Sequence, residues 1–250
     1  MNKKLIFEQV CAIVKEASQL IKEIKRSDIQ IKSQGNFVTS IDFAVDAYLK
    51  KKLGELLPEA GFFSEESGSD IRETNWIIDP IDGTGNMIYG YPYTVSVALA
   101  CNEEVELGVV YHVPMEELYC AIKGMGAYKQ SAYGVMTKIH VGHFDGDEGV
   151  SIVGFPYDRS KTHQILSAIE KIYPFSSDIK RIGPASLDIC AVAEGRAKMY
   201  VELDLQWWDY AAGEVILKEA GGDMLVNNDI LIFAADRNII NAMKDLFATD

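Results

Sequence analysis

Four acids and one glycine-rich turn carry the chemistry this sequence offers. Asp79 and Asp82 stand three apart in Asp79-Pro80-Ile81-Asp82, after the apolar run Trp76-Ile77-Ile78 and before Gly83-Thr84-Gly85. An isolated pair of aspartates on a turn most often makes local side-chain-to-backbone bonds. Here the pair follows a buried run, where residues at sheet ends tend to carry function. Pro80 stiffens the backbone between the acids, and the glycines let backbone N–H groups approach a ligand. Glu65-Glu66 follows a second short apolar run, Phe62-Phe63, and Asp209 stands at the start of a helical pattern. Solvated surface and helix capping are the ordinary explanations of those acids. Together they are hard oxygen donors of the kind Mg²⁺ takes, and carboxylates so gathered repel unless cations neutralise them. If Gly83 and Thr84 open a short helix, their N–H groups form an anion nest. Cations beside an anion nest suit phosphoryl transfer or phosphate-ester hydrolysis.

Positioning those acids falls to the elements around them. Ile6, Val10, Ile13, Ala17, Leu20 and Ile24 recur at steps of four and three, which predicts an amphipathic helix over residues 4–26. Lys32-Ser33-Gln34-Gly35-Asn36 reads as a polar loop. Thr39 or Ser40 caps a second helix that runs to about Leu57 and is ended by Pro58. Phe62-Phe63 and Trp76-Ile77-Ile78 read as buried strand ends. From Thr94 to Lys129, β-rich runs broken by turns predict an antiparallel meander, closed by Gly124-Met125-Gly126. After about residue 145 the pattern alternates. Strands are expected at 150–154, 178–182 and 198–203, and helices near 160–172, 184–194 and 209–220. Two short strands and a helix over 237–247 follow. Helix pair, meander and alternation predict an α/β protein of layered sheets and helices. The expected organisation is one catalytic domain over 1–250, with a helix-pair and meander lobe to about 145 and an α/β lobe over 146–250.

Composition narrows the partners. The formal net charge is −13 over 250 residues, with acids spread along the chain. Such a surface does not suit nucleic-acid backbones or anionic membranes, which call for a basic face. Mg²⁺ would supply the positive field that an anionic substrate needs. Cys11, Cys101, Cys120 and Cys190 sit among apolar neighbours and make no Cys-x-x-Cys pair, so buried reduced thiols are expected. Glu8, Lys15, Glu16, Lys22 and Glu23 interrupt the first apolar pattern, so it does not read as a signal peptide and the expected location is cytoplasmic.

Several eye-catching residues have ordinary explanations. His140-Val141-Gly142-His143 has metal-like spacing inside a polar loop, and Gly124-Met125-Gly126 is better read as a hairpin turn than as a nucleotide fingerprint. Trp208 is expected in the core, with Trp207 left open as a substrate platform. Alternating Tyr89, Tyr91 and Tyr93 read as strand-edge packing.

The stretches "WIIDPIDGTGN" (76–86) and "WDYAAGEVILKEAGG" (208–222) resemble the two signature motifs of the inositol monophosphatase family. "FVTSID" (37–42), "SEES" (64–67) and "GFPYDR" (154–159) are similar to its secondary landmarks, in order over nearly the whole chain. The resemblance implies an αβαβα sandwich of the sugar-phosphatase type, Mg²⁺ dependence, frequent lithium sensitivity and a homodimer. It implies that Glu65, Asp79, Asp82, Asp209 and the Ile81 carbonyl bind up to three Mg²⁺, with Glu66 behind them. Thr84, oriented by Asp42, would align the attacking water, with Lys32 near the same water network. Gly83 and Thr84 would hold phosphate, and Ile81, Asp82, Gly183, Pro184, Ala185, Glu202 and Asp209 would complete the substrate side. The chain departs from the family pattern at Gly85, Ser64, Asn36 and Pro184, and none of these removes an expected metal-binding position.

The expected activity is therefore hydrolysis of inositol monophosphate or a similar small polyol phosphate. Alternatives are a nucleotide-directed phosphatase, acting on NADP or 3′-phosphoadenosine 5′-phosphate, and a fructose-1,6-bisphosphatase. A non-catalytic phosphometabolite sensor is the reading from a different class.

Overall fold

Alternation along the long strands divides the interior into two cores, and the layers follow from that division. β5 (Thr74–Asp82), β6 (Thr94–Cys101), β7 (Glu104–His112) and β8 (Glu117–Ile122) send Trp76, Ile78, Val97, Leu99, Val109 and Cys120 to one face. Ile77, Ala98, Ala100, Val110, Tyr119 and Ala121 go to the other, as the period-two geometry of strands requires. The structure is a computed structural model describing residues 3–21, 29–33, 36–227 and 229–247, with the backbone alone at 29–33 and 36.

The first face is covered by α1 (Lys3–Ile21) and α2 (Ser40–Leu56), which bury Val10, Val14, Val45, Leu49 and Leu53 completely. Full burial of such side chains contributes about 1.5–3 kcal/mol each. The second face carries small residues, and α6 (Trp207–Glu219) lies close upon it. A Cβ on Gly108 of β7 would stand 2.6 Å from the Ala212 carbonyl oxygen, so the helix approaches where the strand has no side chain. α5 (Ala185–Ala193) packs beside α6, with Ile189 against Gly213. Beyond this helix pair lies a five-stranded sheet of β11 (Val150–Val153), β12 (Asp178–Lys180), β13 (Met199–Leu203), β14 (Asp223–Asn227) and β15 (Ile230–Ala234), in the order β12-β11-β13-β15-β14. β11 pairs in parallel with β12 and β13, and the other pairs are antiparallel. α4 (Thr162–Ile172) and α7 (Arg237–Phe247) complete the outer layer, joined by Lys171 over the Phe247 ring. The expected αβαβα sandwich is the observed fold.

The first sheet has eight strands in the order β10-β9-β8-β7-β6-β5-β3-β4, where β3 is Gly61–Ser64, β4 Gly68–Asp70, β9 Ala127–Gln130 and β10 Met136–Ile139. The meander is present, and β3 pairs in parallel with β5. Gly124 and Gly126 turn β8 into β9, and the Glu219 carboxylate at the end of α6 accepts both of their N–H groups at 2.7 Å.

Four expectations need correction. The acids do not stand on a turn after a strand, because β5 runs through Asp82. Across from β6, Asp79 faces Ser96 and Asp82 faces Thr94, so three steps on β5 oppose two on β6. That is a bulge, and it tolerates a proline without a backbone donor. The polar loop at 32–36 is a hairpin between β1 (Ile29–Ser33) and β2 (Asn36–Thr39), whose tip lies outside the described residues. The helix expected over 4–26 is present as α1 as far as Ile21, and its remainder, residues 22–26, lies outside the described residues and is not among the four. Tyr89 and Tyr91 are 67% and 63% exposed rather than packed on a strand edge. Of the cysteines, all free, Cys120 and Cys190 are buried while Cys11 and Cys101 are only partly covered.

Candidate active site

The site lies where β3, β5, β11 and β13 end and where α5 and α6 begin. A cleft of about 570 Å³ opens there, lined by Glu65, Asp79, Ile81, Asp82, Gly83, Thr84 and Asp209 together with Gly183, Pro184, Ala185 and Glu202. Those eleven expected positions thus meet in one place, although they span 65 to 209 in sequence. Asp42 stands behind the cleft and reaches it through Thr84. Glu66 is on the turn after β3 and does not line the cleft. Lys32 lies on β1, and its side chain is outside the described residues.

The bulge explains why Asp79 and Asp82 converge. Residues three apart on a regular strand point to opposite faces, and absorbing one residue restores a common side. One oxygen each from Asp79, Asp82 and Asp209 lies within 4.8 Å of the others. The local Asx bond is also made, since Ile81 N–H donates to Asp79 Oδ1 at 3.1 Å. The ordinary and the chemical explanations of that aspartate hold together. Asp209 similarly closes a capping box, accepting from Gln206 N–H at 2.6 Å, while its carboxylate joins the cluster.

Electrostatics separates the three acids. Burial pushes Asp79 well above the usual carboxylate range, and the charges of Glu65, Asp82 and Asp209 push it further. Asp209 is raised by burial and by Asp82, against the pull of the Gln206 N–H bond. Asp82 is raised only to about 6, because donors oppose its burial. Ser186 N–H donates to its Oδ2 at 2.8 Å, and the Ser186 and Thr94 hydroxyls share a hydrogen bond of 2.7 Å beside it. Hard oxygen donors that repel one another without a counter-charge fit a divalent cation such as Mg²⁺.

Thr84 opens α3 (Thr84–Tyr89), just after Gly83 at φ 89°. Its hydroxyl lies 2.7 Å from Asp42 Oδ1 and 3.1 Å from the Ile81 carbonyl oxygen. Asp42 is fixed in turn, because its Oδ2 accepts from Thr39 N–H at 2.8 Å and the Thr39 hydroxyl at 2.6 Å. The cap that starts α2 therefore also orients Thr84. A Cβ on Gly83 would stand 3.1 Å from Pro184 Cβ, so Pro184 buttresses this turn from the other side of the cleft.

At the far end, Glu202 projects from β13 over Gly154. A Cβ on Gly154 would stand 1.8 Å from Glu202 Oε2, so only glycine leaves room for the carboxylate. The Tyr200 hydroxyl donates to that same oxygen. Burial raises Glu202 to about 7, against the opposing effects of Tyr200 and Arg181. Asp188 is buried beneath the Gly183 turn and accepts Gly183 N–H at 2.8 Å. Its Oδ1 has no hydrogen-bond partner among the described residues.

Sequence reasoning missed several residues of the site. Arg181, Asp188 and Ser186 arrive through long-range packing, and no local pattern announced them, while Tyr157 lies in the quoted stretch 154–159 but was not singled out. Tyr89, Tyr91 and Phe37 rim the cleft, and Trp208 lines it while also packing, half-buried, against the core and on Phe63 at 5.0 Å. Trp207 lies against Phe63 as well, at 5.8 Å, and does not line the cleft. Asp46 did leave a signal, because it interrupts the buried stripe of Val45, Leu49 and Leu53 four residues after Asp42. His140 and His143 occupy the loop between β10 and β11, as expected.

Five alternating layers thus place an acidic cleft at the strand ends. The chain belongs to the inositol monophosphatase family, whose model matches residues 2–247. It is 34% identical over 209 residues to a Nus factor SuhB of Pasteurella multocida, covering 79% of this chain and 75% of that one. It is 33% identical over 230 residues to a fructose-1,6-bisphosphatase/inositol-1-monophosphatase of Aquifex aeolicus, covering 89% and 85%. The crystal structure of extragenic suppressor protein suhB from Bartonella henselae superposes with a TM-score of 0.87 at 25% identity, covering 100% of both chains.

Proposed function

We propose that this protein is a Mg²⁺-dependent phosphomonoesterase acting on inositol monophosphate or a similar small polyol phosphate. One juxtaposition supports the reading above all others. The converging oxygens of Asp79, Asp82 and Asp209 share a cleft with a Thr84 hydroxyl fixed by Asp42. Glu65, Asp79, Asp82, Asp209 and the Ile81 carbonyl would hold up to three Mg²⁺. When bound, Mg²⁺ would neutralise the acids, lower the pKa of water and balance charge on the departing alkoxide.

The chain's own residues do the positioning. The Thr84 hydroxyl donates its proton to Asp42 Oδ1, which leaves its lone pairs to accept from a water and aim that water at phosphorus. Gly83 and Thr84 N–H groups would hold the phosphate oxygens. Glu202 Oε2 is taken by Tyr200, and Oε1 remains to accept hydroxyls of the departing alcohol. Water serves as the nucleophile, so no side chain needs to carry the phosphoryl group.

Arg181 favours a second reading of the substrate. It is the one cationic side chain lining the cleft among the described residues, and its guanidinium lies over the Phe155 ring at 5.7 Å. A cation at the alcohol end suits a second anionic group, as in fructose 1,6-bisphosphate, NADP or 3′-phosphoadenosine 5′-phosphate. Phosphate release with Mg²⁺ across inositol 1-phosphate and those three compounds separates the readings. Fastest turnover of inositol 1-phosphate supports the first, and preference for a bisphosphate supports the second. Silence across the set, with Mg²⁺ binding retained, supports a non-catalytic sensor.

The proposal extends to partners. Homodimerisation rests on the family alone, and sedimentation at micromolar protein tests it. The net charge of −13 argues against direct nucleic-acid binding, so fluorescence anisotropy of a labelled RNA should stay flat at physiological salt. A cytoplasmic location is part of the same reading, and no helix among the described residues is long and apolar enough to cross a membrane.

A further inference from the structure

α2 carries two buried acids one helical turn apart, and the reading above uses only the first. Asp42 points to Thr84. Asp46 is 3% exposed, on the stripe otherwise filled by Val45, Leu49 and Leu53. Burying a carboxylate there is costly unless hydrogen bonds and a nearby cation satisfy it. What Asp46 grips is the Glu65 turn. Its Oδ1 accepts the Ser64 hydroxyl and its Oδ2 accepts the Ser67 hydroxyl, so the two oxygens bracket Glu65-Glu66. Lys50, one turn further along α2, donates to the Ser67 hydroxyl and lies 3.9 Å from Asp46 Oδ2. From the opposite side, Glu65 N–H donates to the Ile78 carbonyl of β5 at 3.3 Å. The turn is thus held between the helix and the strand that carries Asp79.

We infer that Asp46 is a positioning residue that sets the Glu65 carboxylate against the acids of β5 and α6, and so tunes the affinity of the cluster for a divalent cation. α2 then works as a gauge with two contacts, Asp42 fixing Thr84 and Asp46 fixing Glu65. The inference rests on the proposal that Glu65 helps to hold Mg²⁺. Partners that orient a ligating side chain typically alter metal affinity by about 10–100-fold when removed.

The test is Mg²⁺ binding to purified protein by titration calorimetry, supported by the Mg²⁺ concentration at which the melting temperature rises. Asp46→Ala should weaken Mg²⁺ binding by about 10–100-fold. Ser64→Ala combined with Ser67→Ala should do the same, and reads the contact from the other side should Asp46→Ala fail to fold. In a Glu65→Ala background the same changes should weaken Mg²⁺ binding no further, because the effect passes through Glu65. A merely structural role would lower the metal-free melting temperature while leaving Mg²⁺ binding intact, and that result overturns the inference. An equal loss in the Glu65→Ala background also overturns it, since Asp46 would then act by another route. If Glu65→Ala alone leaves Mg²⁺ binding unchanged, the metal assignment of Glu65 falls and the inference falls with it.

Discussion

Glu202 lines the cleft with one oxygen bonded to Tyr200, and burial lifts its carboxyl from 4.5 to about 7. A raised carboxyl pKa means that the folded state binds the proton more tightly than the unfolded chain does. Between pH 4.5 and about 7 the folded protein therefore carries more protons, and stability falls as pH rises through that window. Asp82 acts with the same sign between 3.8 and about 6. Thermal melts of metal-free protein should decline steadily from pH 4.5 to 7.5, and Glu202→Gln should lose the upper part of that decline. An unchanged slope in the variant would assign the titration elsewhere. The same substitution should lower kcat/KM for a polyol phosphate more than for a simple aryl phosphate, because only the polyol offers hydroxyls to Oε1. Equal losses on both substrates would remove Glu202 from alcohol recognition.

Among the elements, α6 depends most on close approach, and Gly108 is where that approach is tightest. Gly108→Ala would force a Cβ to 2.6 Å from Ala212 O and from Val215 Cγ1, so the helix must retreat from the sheet. The expected loss is about 1–3 kcal/mol, read from the midpoint of urea unfolding at constant slope. Asp209 stands on the first turn of the same helix, so Mg²⁺ affinity should fall with stability. A neutral substitution would mean that α6 shifts freely over the sheet. α2 was legible in the sequence because its Thr39 cap and its Pro58 stop are local signals, and the meander because period two persists over several strands. The β5 bulge was not, since aspartates three apart are compatible with either a turn or an irregular strand. The hairpin at 33–36 was missed for a related reason, because its polar residues mark a turn without marking the strands on either side. The grip of Asp46 on Ser64 and Ser67 depends on how a helix meets a strand, which no window of sequence contains.

On the scale of the molecule, a net charge of −13 is tolerable at the surface and troublesome in the cleft. There burial and mutual repulsion of Asp79, Asp82 and Asp209 oppose folding, a cost that the proposed Mg²⁺ would offset. Binding to the native state alone should stabilise the protein by about 2.7 kcal/mol when free Mg²⁺ is a hundredfold above its dissociation constant. Asp82→Asn removes one repelling charge and one donor at nearly constant volume. It should melt higher than the wild type without metal, gain less from Mg²⁺, and lose nearly all turnover. Paired melts with and without Mg²⁺ check this, and a variant that responds to Mg²⁺ as fully as the wild type would make Asp82 a structural residue. Five of the cleft's acids, Glu65, Asp79, Asp82, Glu202 and Asp209, were readable from the chain, and the layer order followed from the family resemblance of its motifs, whereas Asp188 was not foreseen. Arg181 and the aromatic rim were not, and these are the residues that bear on substrate choice.

The two ends of α6 suggest a practical handle on this protein. Asp209 stands on the first turn of the helix in the cleft, and Glu219 closes it about 15 Å away, holding the amides of Gly124 and Gly126 in one carboxylate. Glycine amides occupy a sparse region of a two-dimensional ¹H–¹⁵N spectrum, so these two resonances can be followed in a protein of this size. A cation drawing Asp209 inward would pull on the helix, and its far end would register the movement as a matched displacement of both signals. Titrating Mg²⁺ while watching Gly124 and Gly126 would then report occupancy of the cleft without substrate or turnover. Motionless signals during a titration that perturbs residues 79–84 would mean that the helix stays fixed and that only side chains adjust.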